Sequence, residues 1–140
     1  MHPFYYLLAA FGVLALVALV VVLRRERSYF VARGKGGPWR TMRLATIPLL
    51  AATAALILVP SLGVSGMEAL AVVYLMLLIV APVFWFAAHW LLGRRMQPHL
   101  DFRESVLIAG MPIAFVIGAA VVAHALQPFA WMALRTFGLV

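Results

Sequence analysis

The dominant feature of this sequence is a series of four long apolar runs, separated by short polar segments. They lie at about residues 4–23, 44–62, 69–92 and 105–126. A helix needs about 20 mostly apolar residues to cross the hydrocarbon core of a bilayer. None of the runs shows the period-two alternation of a membrane β-strand, and backbone groups in lipid must be satisfied within the segment. The sequence therefore predicts an all-α integral membrane protein, a four-transmembrane-helix bundle in a single membrane domain over residues 1–140.

Composition excludes the main alternatives to a membrane protein. Apolar residues make up 66% of the chain and charged residues 11%, whereas soluble domains average about 45–50% and about 25%. Disorder requires the opposite bias. The sequence contains no cysteine, so a disulfide framework, a thiolate metal site, a cysteine nucleophile and an iron–sulfur cluster are all excluded.

Local signals predict where the helices begin and end. Ser65 and Glu68 have the spacing of a capping box before the third run, and Asp101 and Glu104 have the pattern of an N-cap and its third helical residue before the fourth. Pro3 and Pro38 suit first-turn positions of helices one and two.

Glycine and proline residues predict where the helices end or are interrupted. We expect the first helix to continue to about Ala32, because no helix breaker precedes Gly34. The tail over residues 127–140 is predicted to form a short interfacial helix on the outer side. Three prolines interrupt the runs, each freeing the carbonyl group four residues earlier: Pro48, Pro82 and Pro112.

Charge predicts the orientation. The loops over residues 24–43 and 93–104 carry ten of the eleven lysines and arginines, and Arg135 alone falls on the other side. The positive-inside rule places both loops in the cytoplasm and both termini outside the cytoplasmic (inner) membrane. The net charge of +7 is thus chiefly a topology signal, not one for nucleic acid. Five arginines are predicted to contact anionic lipid: Arg24, Arg25, Arg27, Arg94 and Arg95.

Few polar side chains lie within the runs. They contain no Asp, Glu, Lys or Arg, which argues against an autonomous channel or transporter for a hydrophilic solute. His89 and His124 are candidate cofactor-binding residues, for haem, pigment or quinone, although an interfacial histidine bonded to a neighbouring helix is the alternative. Their positions put them about 25 Å apart in depth, so they are not expected to share a haem within one protomer. His89 could instead pair with His99, and His124 with His2.

No catalytic constellation is predicted. His99, Asp101 and Glu104 have residue types that bind metals, but the two carboxylates are already accounted for as helix N-terminal residues, and no metal site is predicted. The sequence has no Ser/His/Asp set and no glycine-rich phosphate loop, and the stretches between runs are short. We expect no enzyme activity from this chain alone.

Small residues predict helix association. Gly110, Ala114 and Gly118 recur every four residues in the fourth run, and Ala51 and Ala55 repeat the spacing in the second. Small residues let helix backbones approach closely in lipid. These faces therefore predict packing within the chain or against a partner.

Three functions are consistent with these observations. The first is a non-catalytic small subunit of a larger membrane complex, for example an energy-transducing one, respiratory or photosynthetic. The second is a cofactor-bearing subunit that uses His124 or His89. The third is a small transporter or lipid-handling component. The expected partners are other integral membrane subunits and membrane lipids.

Overall fold

The computed structural model describes residues 3–138, which are helical apart from short connections. The elements are α1 (Pro3–Ala32), α2 (Gly36–Ser61), α3 (Met67–Leu75), a π-helical segment (Met76–Val80), α4 (Ala81–Arg95) and α5 (Phe102–Thr136). No strand occurs between residues 3 and 138. Four stretches are long and apolar enough to span a membrane: Phe4–Ala32, Gly36–Ser61, Gly66–Arg95 and Phe102–Thr136. The predictions of an all-helical fold and of four candidate spans are confirmed.

The turn between α1 and α2 is tight. Helix α1 ends at Ala32, as predicted, and α2 begins at Gly36. Gly34 has a φ of 70°, a left-handed conformation that glycine adopts without steric cost. The Lys35 amide donates to the Phe30 carbonyl at 2.8 Å, which satisfies one of the last carbonyl groups of α1. Most of the basic residues assigned to the loop over residues 24–43 therefore lie on helices.

The two predicted N-terminal caps have different outcomes. The capping box at Ser65 is wrong: the residue before α3 is Gly66, at φ 68° and ψ −139°, and no side chain caps the helix. Glycine supplies this left-handed conformation, so the helix begins one residue too late for Ser65 to cap it. The prediction at α5 is confirmed, since the Asp101 amide donates to Glu104 Oε2 at 2.9 Å.

The separate interfacial helix predicted over residues 127–140 is not confirmed. Helix α5 continues through Pro128 to Thr136, so residues 127–136 of the tail belong to the fourth helix. A proline frees one carbonyl group, and membrane helices tolerate such interruptions when neighbouring groups and local adjustments compensate. Residues 139 and 140 lie outside the described residues.

A π-helical segment interrupts the third span. The Ala81 amide donates to the Met76 carbonyl, five residues earlier, immediately before Pro82. The sequence predicts that Pro82 disturbs the helix at Leu78, and the disturbance takes the form of a wider turn. By contrast, Pro48 and Pro112 lie within continuous α-helices.

The described chain divides into two compact units. One contains the chain up to Ser28 and the chain from Pro112 onward; here Phe4 stacks on Trp131 with ring centroids 6.4 Å apart. The other is Tyr29–Met111, in which α2 packs along α3, the π segment and α4. Its core consists of Phe30, Met42, Leu100 and Ile108, with Trp39, Leu92 and Met96 packed against them. The single membrane domain stays a prediction.

Candidate functional site

A buried stripe on α4 faces the beginning of α5. Trp85, His89 and Gly93 recur every four residues and are all buried, because side chains four apart lie on one face of a helix. The Trp85 indole donates from Nε1 to the Ala109 carbonyl at 2.7 Å. A Cβ atom added to Gly93 would lie 2.5 Å from Ser105 Oγ. The two helices therefore approach to near backbone contact along this stripe.

His89 is the central polar residue of the stripe. Its side chain is fully buried, and Nδ1 lies 2.8 Å from the Trp85 carbonyl oxygen. Since a carbonyl group can only accept, Nδ1 is assigned the proton and Nε2 the lone pair. Nε2 has no hydrogen-bond partner among the described residues, and neither has the buried Ser105 hydroxyl.

The hydrogen bond at Nδ1 of His89 suits a metal or haem ligand, but the burial of the side chain does not. A histidine whose second nitrogen is fixed by a backbone carbonyl is the usual form of a ligating imidazole. Its complete enclosure leaves no access for a macrocycle unless α4 and α5 separate. The pairing of His89 with His99 is not formed, because His99 is exposed and Nε2 of His89 is unpartnered. A cofactor at His89 stays a prediction.

His124 lies in the other compact unit, in a different environment. It is exposed and lines an apolar cleft of about 560 Å³ between the start of α1 and the end of α5. Phe4, Phe11 and Trp131 supply aromatic walls, and Gln127 is the second polar side chain in the lining. Its predicted partner His2 lies outside the described residues. The cleft has the composition that a ligand with an apolar body and one polar end requires.

Lys35 and Glu104 form a short ion pair near the start of α5, within the compact unit Tyr29–Met111. Lys35 Nζ lies 2.6 Å from Glu104 Oε2 and 3.7 Å from Asp101 Oδ2. The Lys35 and Glu104 side chains are only 18% and 9% exposed. The hydrogen bond to Glu104 is the main cause that raises the pKa of Lys35 above its ordinary value, although partial burial acts in the opposite sense.

This ion pair links residues that no sequence motif connects. Lys35 and Glu104 are 69 positions apart, and the sequence predicted only that both lie on the cytoplasmic side. Their shared position on the predicted cytoplasmic side is the only sequence signal that relates Lys35 to Glu104. Glu104 accepts hydrogen bonds from Lys35 and from the Asp101 amide. Within residues 3–138, no group of three or more His, Asp or Glu side chains is arranged to hold a metal ion.

A second cleft, of about 340 Å³, lies where α4 ends and α5 begins. The Arg94 guanidinium carbon lies 5.4 Å from the centroid of the Trp90 ring, and Trp90 meets Phe102 edge-on at 6.0 Å. His99 and Asp101 complete the polar lining. The sequence predicts Arg94 as a lipid contact, but no sequence feature indicates the cleft.

The predicted helix-packing residues lie on open surfaces. Ala51, Ala55, Ala114 and Gly118 are exposed, and a Cβ atom added at Gly110 or Gly118 would meet no atom within 4 Å. Each of these small residues is thus uncovered within the compact unit that contains it. The arginines predicted to contact lipid are also exposed: Arg24, Arg25, Arg27, Arg94 and Arg95.

No protein-family model, curated protein or solved structure matches this chain.

Proposed function

We propose that this protein is a non-catalytic small integral-membrane subunit that assembles with, and stabilises, a larger membrane protein complex. The observation that carries the proposal is the open small-residue face of α5. Ala114 and Gly118 are exposed, and the space beside Gly110 and Gly118 is empty of other side chains. In lipid, helices associate through close backbone packing at such residues. A helix of a partner subunit could pack closely against this face of α5.

The polar groups of the described chain support a structural role. His89 and Ser105 are enclosed, and Glu104 is held by Lys35. The Lys35–Glu104 ion pair joins the start of α5 to the α1–α2 turn, and the enclosed His89 and Ser105 are not placed to meet a substrate. A subunit with this arrangement contributes packing surface, and an energy-transducing complex is one class of assembly that it would suit.

We propose an orientation in the membrane that is based on the distribution of the basic residues. The Gly34 turn and the connection between α4 and α5 lie in the cytoplasm, and both termini lie outside the inner membrane. Other integral membrane subunits and membrane lipids are then the partners, and nucleic acid is not.

Affinity purification from native membranes tests the subunit role. Gly118→Leu fills the open face, whereas Val116→Leu changes an exposed side chain on the opposite side of the same helix. We expect Gly118→Leu to lower the yield of stoichiometric partner subunits by roughly tenfold, as loss of one close helix contact would, and Val116→Leu to leave it unchanged. A stable homo-oligomer that purifies with no stoichiometric partner would contradict the proposal.

A second candidate is a cofactor-bearing subunit, favoured by the apolar cleft beside His124. A quinone has an apolar tail and carbonyl groups that His124 and Gln127 could meet with hydrogen bonds. Haem or pigment at His124 or His89 is the related possibility. Absorption spectra and extracted quinone from His124→Ala and His89→Ala preparations, purified with native partners, test it. Unchanged spectra and quinone content in both variants would eliminate this candidate.

A further inference from the structure

We propose that the cleft between the end of α4 and the start of α5 binds the headgroup of a phospholipid that carries both a phosphate and a primary ammonium group. Two opposite charges line this cleft of about 340 Å³, the guanidinium of Arg94 and the carboxylate of Asp101. Aromatic rings of Trp90 and Phe102 lie beside them. The inference concerns the isolated chain and does not depend on the proposed subunit role.

Arg94 and His99 are suited to the phosphate. Arg94 stacks over Trp90 at 5.4 Å, which restrains a side chain that is otherwise mobile. It forms no ion pair in the part of the chain that the structure describes, and His99 forms no side-chain hydrogen bond there. A guanidinium group binds phosphate oxygens through two parallel hydrogen bonds. The imidazole of His99 can donate a further one.

Asp101 is suited to the ammonium group. Its side chain is 78% exposed, and its oxygen is 3.7 Å from Lys35, because Lys35 makes its short contact with Glu104 at 2.6 Å. The carboxylate therefore keeps most of its acceptor capacity for a ligand. A primary ammonium group donates hydrogen bonds to it, which a choline group cannot do. A purely anionic headgroup offers no donor of this kind to Asp101, and the ring of Phe102 adds attraction for a cation.

The surroundings of the cleft favour a lipid over a soluble phosphate compound. Trp90 lies at the end of an apolar span, where tryptophan is enriched at membrane interfaces. Next to it, Leu91 and Phe102 expose 54% and 62% of their surfaces. These apolar surfaces adjoin the charged groups and would lie against acyl chains. Headgroup and chains thus meet complementary parts of one surface.

Native mass spectrometry of the full chain in detergent tests this site. The chain is titrated with phosphatidylethanolamine, phosphatidylcholine and phosphatidylglycerol that share the same acyl chains. We expect phosphatidylethanolamine to bind about tenfold more tightly than the other two, as one charge-assisted hydrogen bond would give. Arg94→Gln should weaken it about tenfold. Asp101→Asn should reduce it to the level of phosphatidylcholine while sparing phosphatidylglycerol.

Arg135→Gln is the matched control, because Arg135 is an exposed arginine that does not line this cleft. Equal binding of the three lipids, or equal effects of Arg94→Gln and Arg135→Gln, would overturn the proposal. Displacement of the lipid by millimolar inorganic phosphate would show a site for free phosphate instead. If Arg94→Gln fails to fold, Arg94→Lys keeps the charge but loses the paired hydrogen bonds, and unchanged lipid affinity in that variant would equally overturn it.

Discussion

At Gly93, α4 and α5 leave no room for a methyl group. A Cβ atom there would lie 2.5 Å from Ser105 Oγ and 3.2 Å from Leu100 Cβ. We therefore expect Gly93→Ala to destabilise the protein by about 1–3 kcal/mol, the usual cost of overpacking a filled core. Thermal unfolding in detergent, followed by circular dichroism, measures the loss.

A double substitution separates overpacking from other causes. Ser105→Ala removes the nearest atom, so Gly93→Ala should cost less in that background than in the wild type. Gly12→Ala is the control, because nothing lies within 4 Å of a Cβ atom at that position, and alanine is the better helix former. Equal losses for Gly93→Ala in both backgrounds would refute the predicted clash with Ser105.

The Lys35–Glu104 ion pair predicts a loss of stability at alkaline pH. The pKa of Lys35 is raised above its ordinary value of 10.5, first of all by the hydrogen bond to Glu104. The folded state thus binds the proton more tightly than the unfolded state does. The stabilisation is complete below pH 10.5 and is lost as the pH rises through the higher folded-state pKa. Removing the charge from this part-buried pair should cost about 1–3 kcal/mol.

Lys35→Arg provides the comparison, since arginine stays protonated to above about pH 12. Thermal midpoints measured from pH 9 to pH 12 should fall more steeply for the wild type than for Lys35→Arg. Parallel curves would show that the Lys35 charge does not contribute to the alkaline transition, because all other titrating groups are common to both proteins.

The contrast between Glu104 and His89 shows what single residues reveal in sequence. The hydrogen bond from the Asp101 amide to Glu104 is local, so a fixed spacing predicts it. The enclosure of His89 depends on how closely α5 approaches α4, and that distance is set by Gly93, Ser105 and Ala109 together. Periodicity predicts which residues share a face, but it does not specify the neighbour that covers the face.

At the scale of elements, the π-helical segment sets the register of α4. A π turn holds one residue more than an α turn, and the extra residue lies just before Pro82. Deleting Leu78 should convert the segment to α-helix while keeping Trp85, His89 and Gly93 aligned with α5. We therefore expect this deletion to lower the thermal midpoint only slightly.

Deletion of Ala88 is the matched change within α4. It rotates His89 and Gly93 by about 100° relative to Trp85, so the stripe would no longer face α5 as one surface. The midpoint should fall much further than after deletion of Leu78. Similar losses from the two deletions would mean that the π segment does not absorb the extra residue.

Some helix boundaries are predictable from local signals in the sequence, and others are not. The end of α1 at Ala32 followed from the absence of breakers before Gly34. The predicted start of α3 is wrong, because Gly66 takes a left-handed conformation and is itself the N-cap in place of Ser65. The continuation of α5 beyond Pro128 was also missed, since a proline in lipid need not end a helix.

At the scale of the whole molecule, the proposed orientation is open to a labelling test. The chain has no cysteine, so single cysteines report their own positions. Gly37→Cys suits the first turn of α2, where a Cβ atom meets nothing within 4 Å. Ser65→Cys lies at an exposed position before α3. A membrane-impermeant maleimide added to intact cells should label position 65 but not position 37.

Permeabilised cells supply the control, because both cysteines should then react. Labelling of both positions in intact cells would contradict a membrane crossing by α2. Labelling of position 37 alone would reverse the proposed orientation and, with it, the assignment of the basic residues to the cytoplasm.

Because His89 is fully enclosed, the rate at which a reagent modifies it reports how often its compact unit opens. Diethyl pyrocarbonate reacts with the unprotonated nitrogen of histidine, and that nitrogen in His89 is buried and unpartnered. Exposed His99 supplies the unprotected reaction rate in the same sample. The ratio of the two rates therefore measures how often α4 and α5 separate. A partner or lipid that holds the helices together would be detected as a slower reaction at His89.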